Sequence, residues 1–474
     1  MLKTQFISQT ETKKTPYIFI NIVLALFPIS FIIGSLIVNI NLIIFCGLGI
    51  YYLKSKILKF NFDFTLKIIF LFFLLIFFST CLSFIKSLYF EGYSDIHLAR
   101  LIKSLLFFRF FLFLLIIFLL NKLNILSFKY FFISAAGSAT IVSLDIIFQH
   151  SFGFNMIGLK GHDFYNSGFF GNELIAGGYV QRFSIFAILF STLLFKNKNN
   201  FRFIFSVVVI CVLGLGVFLA GNRMPLILFT LGLFFIFLLD IKIKKILFVS
   251  LLGLLIIFKV IISSDELYKS FLKNAFYSFY VNAKNVIALP SALTVQKINK
   301  IKRIEPDSLK TKTDFNRPKY ETHYRRLFLT AIDTWGENKI FGNGIKSFRL
   351  DCWKLEKDDE YYLGEDLVVG KKNRLCSNHP HNYYFEILTE TGILGILISL
   401  ALATILVIFI LKNLKSMQQI NAEKFLLISA LISLTLEMLP IRNTGSIFTT
   451  NNATYIILIA SIVICHKTLM KNKI

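Results

Sequence analysis

Residues 67–85 read KIIFLFFLLIFFSTCLSFI, and after Lys67 no charged side chain appears until Lys86. At a rise of 1.5 Å per residue this stretch makes roughly 27 Å of helix, close to the thickness of a bilayer's hydrocarbon core. Backbone polar groups find no water there, so helix is the conformation such a stretch must take. The same pattern repeats outward along the chain, with apolar runs at 17–35, 37–53, 104–120, 128–148, 174–195, 202–219, 223–239, 246–262, 383–411, 424–441 and 453–470. Hydrophobic residues make up 55% of the 474, and mean hydropathy is +0.68. A water-soluble domain has too little interior to hide that much apolar surface. The reading is an all-α integral membrane protein with about twelve transmembrane helices. The 174–195 run, interrupted by Gly177, Gly178 and Arg182, is the weakest of them, and the first two lie close together.

The net charge of +24 does not point to nucleic acid, because the cations sit in short turns rather than on one folded surface. Alternate turns are cation-rich: Lys54, Lys56 and Lys59; Lys122 and Lys129; Lys196, Lys198 and Arg202; Lys242, Lys244 and Lys245; Lys412, Lys415 and Lys424. The intervening short turns carry few, among them Lys86, Arg100, Lys103, Lys160 and Arg442. This positive-inside pattern predicts an even number of helices with both termini cytoplasmic. The first run passes into the second without a small-residue cleavage site, so the expectation is a retained helix rather than a signal peptide. The 55 Phe residues carry no functional reading of their own.

The organisation is helices one to nine over 1–262, a large loop over 263–382 on the side opposite the termini, and helices ten to twelve over 383–474. Within the loop, 271–286 reads as an interfacial helix and 297–319 as a Lys-rich linker. Tyr320–Glu337 reads as a helix, ended by a turn at Phe341-Gly342-Asn343-Gly344. Cys352 and Cys376 lie in the loop and are candidates for a disulfide. Cys46, Cys81, Cys211 and Cys465 lie in apolar runs as packing residues.

The chemistry concentrates where the loop meets the tenth helix, at His379-Pro380-His381-Asn382. Asn382, Glu386 and Glu390 follow at four-residue spacing and form a polar stripe on one face. Acidic side chains inside a membrane helix are costly and have a pairing or functional reason. Histidines two apart do not share a helix face and no further ligand set is evident, so no metal or cofactor is expected. The plain alternative is that both histidines are polar residues at a helix start.

His381-Asn382, nine residues, then Gly392-x-x-Gly395 resembles the signature of the O-antigen ligase family, whose superfamily also holds O-antigen polymerases. Arg325-Arg326 followed by a helix and the Phe341–Gly344 turn is similar to the family's pattern before the histidine. Gly221-Asn222-Arg223 and the segment Gly168–Leu174 fit as well, so the resemblance covers roughly 140–440. It implies a GT-C-like glycosyltransferase of a bacterial inner membrane, its large loop periplasmic, that takes a glycan from undecaprenyl diphosphate, without metal. The acceptor would be the lipid A-core of lipopolysaccharide for a ligase, or another lipid-linked repeat for a polymerase. The motif spacing favours the ligase.

The residues suit that chemistry. Arginine binds phosphate oxygens through a planar fork that never deprotonates, which fits Arg223, Arg325 and Arg326 to a lipid diphosphate. His381, at a helix N-terminus where the dipole disfavours imidazolium, fits the base that takes a sugar hydroxyl's proton. His379 is a lesser candidate for that role. Asn382 fits a cap, and Arg182, inside an apolar run, needs a partner or a function. Glu386 and Glu390 fit either an anchor for an arginine across the bundle or polar packing, and Gly392 and Gly395 fit the close approach of a neighbouring helix. A transporter of lipid-linked sugars would show repeats and broken helices, neither of which is visible in the sequence. A membrane scaffold would tolerate loss of His381, Arg223 and Arg325.

Overall fold

The computed structural model describes residues 17–57, 62–90, 94–161, 165–195, 198–239, 243–264, 277, 280, 319–352, 360–363, 366–369, 375–417 and 422–471. Helices cover each apolar run of the sequence. In chain order they are α1 (Ile18–Ala25), α2 (Phe27–Ile33), α3 (Ser35–Leu53), α4 (Phe64–Phe90), α5 (Asp95–Lys122), α6 (Lys129–Phe152), α7 (Ala176–Ser191), α8 (Asn199–Leu219), α9 (Arg223–Leu238) and α10 (Lys244–Ser264). The long connecting segment carries α11 (Lys319–Gly336) and α12 (Phe348–Asp351), and after it come α13 (Tyr383–Met417), α14 (Ala422–Glu437) and α15 (Thr450–Lys471). Seven of these helices are long and apolar enough to cross a membrane, and α9 and α15 are shorter apolar helices.

The first two apolar runs are separate. Pro28 opens α2, and Gly34, at φ 131°, divides α2 from α3. The 174–195 run does form a helix, α7. The sequence reading expected helix alone, but a small antiparallel hairpin, β1 (Glu360–Leu363) with β2 (Asp366–Val369), lies in the long segment. The expected interfacial helix at 271–286 and the linker at 297–319 lie outside the described residues, apart from Tyr277, Tyr280 and Lys319.

One apolar core runs through the bundle, and aromatic edges fill the gaps between helices. Phe113 of α5, for example, packs against Phe27 of α2 at 5.0 Å and Phe45 of α3 at 5.3 Å between centroids. Large apolar side chains such as Leu36, Ile43 and Leu255 face outward, at 70%, 66% and 64% exposure. Water would penalise that surface, whereas lipid tails accept it.

Helix lengths shape the face where the long segment sits. At 1.5 Å per residue α4 and α5 are roughly 40 Å long, whereas α7, α9 and α14 are roughly 24 Å. The three short helices pack on one another. Arg109, midway along α5, donates to Thr450 at the start of α15. The connection between α14 and α15 is therefore sunk roughly 20 Å below the loop-side end of α5. The result is a bowl floored by short helices and walled by long ones.

The Phe341–Gly344 turn is locked into this bowl by backbone contact. Helix α13 breaks at Gly392 (φ 68°, ψ −164°), and the freed backbone groups are taken up by the turn. Ile393 N–H donates to Lys339 at 2.9 Å, Asn343 N–H to Thr389 at 2.9 Å, and Gly344 N–H to Glu390 at 2.9 Å. A Cβ at Gly392 would stand 2.2 Å from the Ile340 carbonyl oxygen, and one at Gly342 would stand 2.5 Å from the α13 backbone. Gly392 thus admits a turn, rather than the neighbouring helix that the motif suggested. Gly395 faces Thr391 of its own helix. Gly392→Ala, facing both a glycine-only conformation and a backbone overlap, is expected to destabilise the protein by at least about 3 kcal/mol. Gly178→Ala, in open space, should stay within about 1 kcal/mol. Thermal melting of the two variants in detergent checks both.

Candidate functional site

The start of α13 is built by its own side chains. Asn382 Oδ1 accepts the Tyr384 N–H at 2.9 Å and the Phe385 N–H at 3.3 Å, which caps the helix. Its Nδ2 donates to the Pro440 carbonyl at 2.5 Å, tying the cap to the sunken α14–α15 connection. The Thr444 N–H donates to the His381 carbonyl at 3.0 Å, a second tie to the same connection. The disulfide Cys352–Cys376, with a Cα separation of 5.6 Å, fastens the chain just before His379 to the end of α12. Leu327, Ala331 and Phe348 bury around that bridge.

The two imidazoles lie side by side, 4.2 Å between ring centroids. The Tyr324 ring of α11 stands edge-on to His381 at 6.0 Å. The Tyr324 hydroxyl bonds to Asn443 and lies within electrostatic reach of Arg223, at the start of α9. Burial raises the Tyr324 phenol above its ordinary range, against both of those contacts. Arg223, Tyr324, His381 and Asn443, far apart in sequence, thereby meet at one place. His379 is pushed down to about 4, first by burial, then by the neighbouring His381 and Lys346, with a hydrogen bond to the Thr444 backbone opposing. It is a neutral base at neutral pH.

Deeper in the bowl lie two acids. Glu386 and Glu390 are both 1% exposed. Glu386 accepts the Ile447 N–H at 2.8 Å, and the Lys346 N–H reaches the Glu390 carboxylate. Lys346, itself buried, donates from Nζ to Ser446 at 2.9 Å. Arg100 of α5 donates to the carbonyls of Ile345 (3.0 Å) and Asn343, fixing the turn that presents Lys346. Five described non-glycine residues have positive φ, and Lys346 (61°) and His381 (55°) are two of them. Such backbone collects where side chains must be aimed.

Arg182 takes Glu437 as its acid. Nε and Nη2 donate to the two carboxylate oxygens at 3.0 and 2.6 Å, and Nη2 also reaches Asn452 at 2.7 Å. Arg442 donates to the same carboxylate at 2.5 Å, and the Tyr383 hydroxyl donates to it at 2.8 Å. The Arg182 guanidinium lies over the Tyr455 ring, 4.7 Å away. Arg326 is 8% exposed on α11, two residues and roughly 200° around the helix from Tyr324. Arg325 lies beside it on α11, but its side chain is outside the described residues.

The sequence reading missed Tyr324, Lys346, Glu437 and the whole connection from Pro440 to Asn452. Glu437 carried a signal, as the lone acid in its apolar run. Lys346, two residues past the glycine turn, carried none. A separate cleft of about 330 Å³ opens between the end of α4 and the Asn338–Gly342 turn, and holds none of the candidate residues. Among the described residues no group of three His, Cys, Asp or Glu side chains is placed to hold a metal ion.

Residues 207–400 match the family model described as O-antigen ligase. The matched stretch contains Arg223, Tyr324, Lys346, His379, His381, Glu386 and Glu390. No curated protein matches the chain.

His379 gives the site a pH signature. Its folded pKa lies below the ordinary histidine value of about 6.5, so the unfolded chain binds the extra proton between those limits. Stability should therefore fall as pH drops from about 6.5 toward 4. His379→Gln should flatten the fall in melting temperature over that window.

Proposed function

We propose that this chain, a member of the O-antigen ligase and polymerase superfamily, is a metal-independent transferase of lipid-linked glycan with a twelve-pass, GT-C-like fold. The donor is a glycan on undecaprenyl diphosphate. The acceptor is the lipid A-core of lipopolysaccharide, as in a ligase. The site faces the periplasm, with both termini cytoplasmic, and the loop 263–382 divides helices one to nine from helices ten to twelve.

One observation carries the reading: Tyr324 lies against the His381 ring and within electrostatic reach of Arg223. In this reading Arg223, with Arg325 on α11, holds the diphosphate, whose charge grows as the bond to the sugar breaks. Arg326, buried on the other side of α11 from Tyr324, is not part of that clamp. The acceptor hydroxyl attacks the anomeric carbon, and its proton passes to an imidazole nitrogen of His381. The electron pair of the broken bond leaves on undecaprenyl diphosphate. A direct displacement of this kind inverts the anomeric configuration. Asn382 holds the helix start that aims His381, and His379 lies against its ring. Arg182 is a positioning residue, acting through Glu437 on the connection beneath.

The broken helix at Gly392 does not favour a transporter. Its freed groups bond to the 339–344 turn, so they are not offered to an ion or solute. A polymerase would use the same clamp and base, with a lipid-linked repeat as acceptor.

The test is transfer by the reconstituted protein from a lipid-diphosphate glycan to lipid A-core, without metal or nucleotide. His381→Ala should lower kcat by at least about 100-fold while melting unchanged. Arg223→Ala should lower kcat/KM by about 10- to 100-fold. Chains lengthening on the carrier, with none reaching lipid A-core, would replace the ligase with a polymerase. Equal turnover by His381→Ala would remove the base from the mechanism.

A further inference from the structure

A second group of cations lies on the α5 side of the bowl, and two of its members, Lys346 and Arg349, are also within electrostatic reach of His379. Arg109 is half-buried, midway along a membrane-crossing helix, where a bare charge is costly. Its Nη2 shares Thr450 Oγ1 with Asn39 of α3, at 3.4 and 3.5 Å, and its Nε has no partner. The segment Ser446–Thr450 links Arg109 at one end to Lys346 at the other. Phe448 in its middle packs on Phe107 of α5, 5.4 Å between centroids. Lys103 lies one turn before Phe107 and is exposed. It is within electrostatic reach of Lys346, Arg349 and Arg109, and of Glu390. Lys346 and Arg109 thus bond to one short segment, Lys103 lies a turn from its contact with α5, and Arg349 is within electrostatic reach of Lys103. Glu386 and Glu390 lie within reach of Lys346, and apolar side chains beside the group face outward. Leu105 and Leu106 of α5 are 58% and 56% exposed, and Leu36 and Ile40 of α3 are 70% and 43% exposed.

We propose that Lys103, Arg109, Lys346 and Arg349 form a second anion site, which takes the phosphate of a lipid headgroup while its acyl chains lie along α3 and α5. Like charges gathered at a membrane helix are stabilised by an anion, and a phosphate accepts several such donors at once. The outward apolar surface beside them fits a lipid rather than free phosphate. The phosphate belongs either to the acceptor of the proposed transfer or to a bulk phospholipid. Only that first identity rests on the transferase reading.

The test reads binding without turnover. Native mass spectrometry follows the full chain in detergent with equal amounts of lipid A, phosphatidylglycerol and phosphatidylcholine. The protein should retain an anionic lipid at least tenfold over phosphatidylcholine. Lys103→Glu, at an exposed position that leaves folding intact, should cut that retention at least fivefold, whereas Arg223→Ala should keep it. Lipid A retained over phosphatidylglycerol supports the acceptor as occupant, and equal retention supports a bulk phospholipid. Unchanged retention by Lys103→Glu, or equal loss by Arg223→Ala, would overturn the second site. A protein that binds lipid A here but transfers nothing would leave this site standing and fail the transferase reading alone.

Discussion

A single buried carboxylate organises the bowl. Glu437 ends α14 with no exposed side-chain surface and holds two guanidiniums, Arg182 from α7 and Arg442 from the following turn, together with the Tyr383 hydroxyl. Desolvating three charges is costly, and it is tolerated because every carboxylate lone pair faces a donor. Removing one member would leave an uncompensated charge in the bundle. The network therefore fixes where α14 stops and how the chain leaves it.

The chain that leaves it touches nearly everything else of interest. Between Pro440 and Asn452 the connection meets Asn382, Tyr324, His381, Lys346, Glu386, Arg109 and Arg182 in turn. Opposite it, the Phe341–Gly344 turn is pinned by Arg100, by Ser79 through the Glu390 carbonyl, and by the glycine pair at 342 and 392. Two irregular segments are thus held rigid between helices. Irregular backbone at membrane depth is stable only when its polar groups are bonded in this way. The candidate imidazoles are tied to the first of these segments through Thr444, and the two segments meet at the Lys346–Ser446 bond.

Much of this was legible in the sequence. Charge-free runs such as Ile68–Ile85 dictate helices, because no other structure satisfies the backbone in lipid. The Asn382 cap and the 319–336 helix followed from local chemistry. Of the candidate site, local chemistry in the sequence marked His379–Glu390, and the distant arginines Arg182, Arg223, Arg325 and Arg326 were named without their neighbours. Tyr324 and Arg223 converge on His381 through packing of α9, α11 and α13, and no spacing along the chain encodes that. Arg182 advertised a need for a partner but not which acid would meet it. Glu386 and Glu390 were nearer to the motif, yet Glu437 lies opposite α7 because α14 packs there. The hairpin at 360–369 lacked any apolar alternation strong enough to stand out beside the helices.

The most direct test of the account is a structure of the His381→Ala protein, unable to turn over, with a glycan on undecaprenyl diphosphate bound. The account predicts phosphate oxygens within about 3 Å of the Arg223 guanidinium, and the anomeric carbon turned toward position 381. A diphosphate seated elsewhere, with Arg223 and position 381 both facing empty solvent, would contradict it.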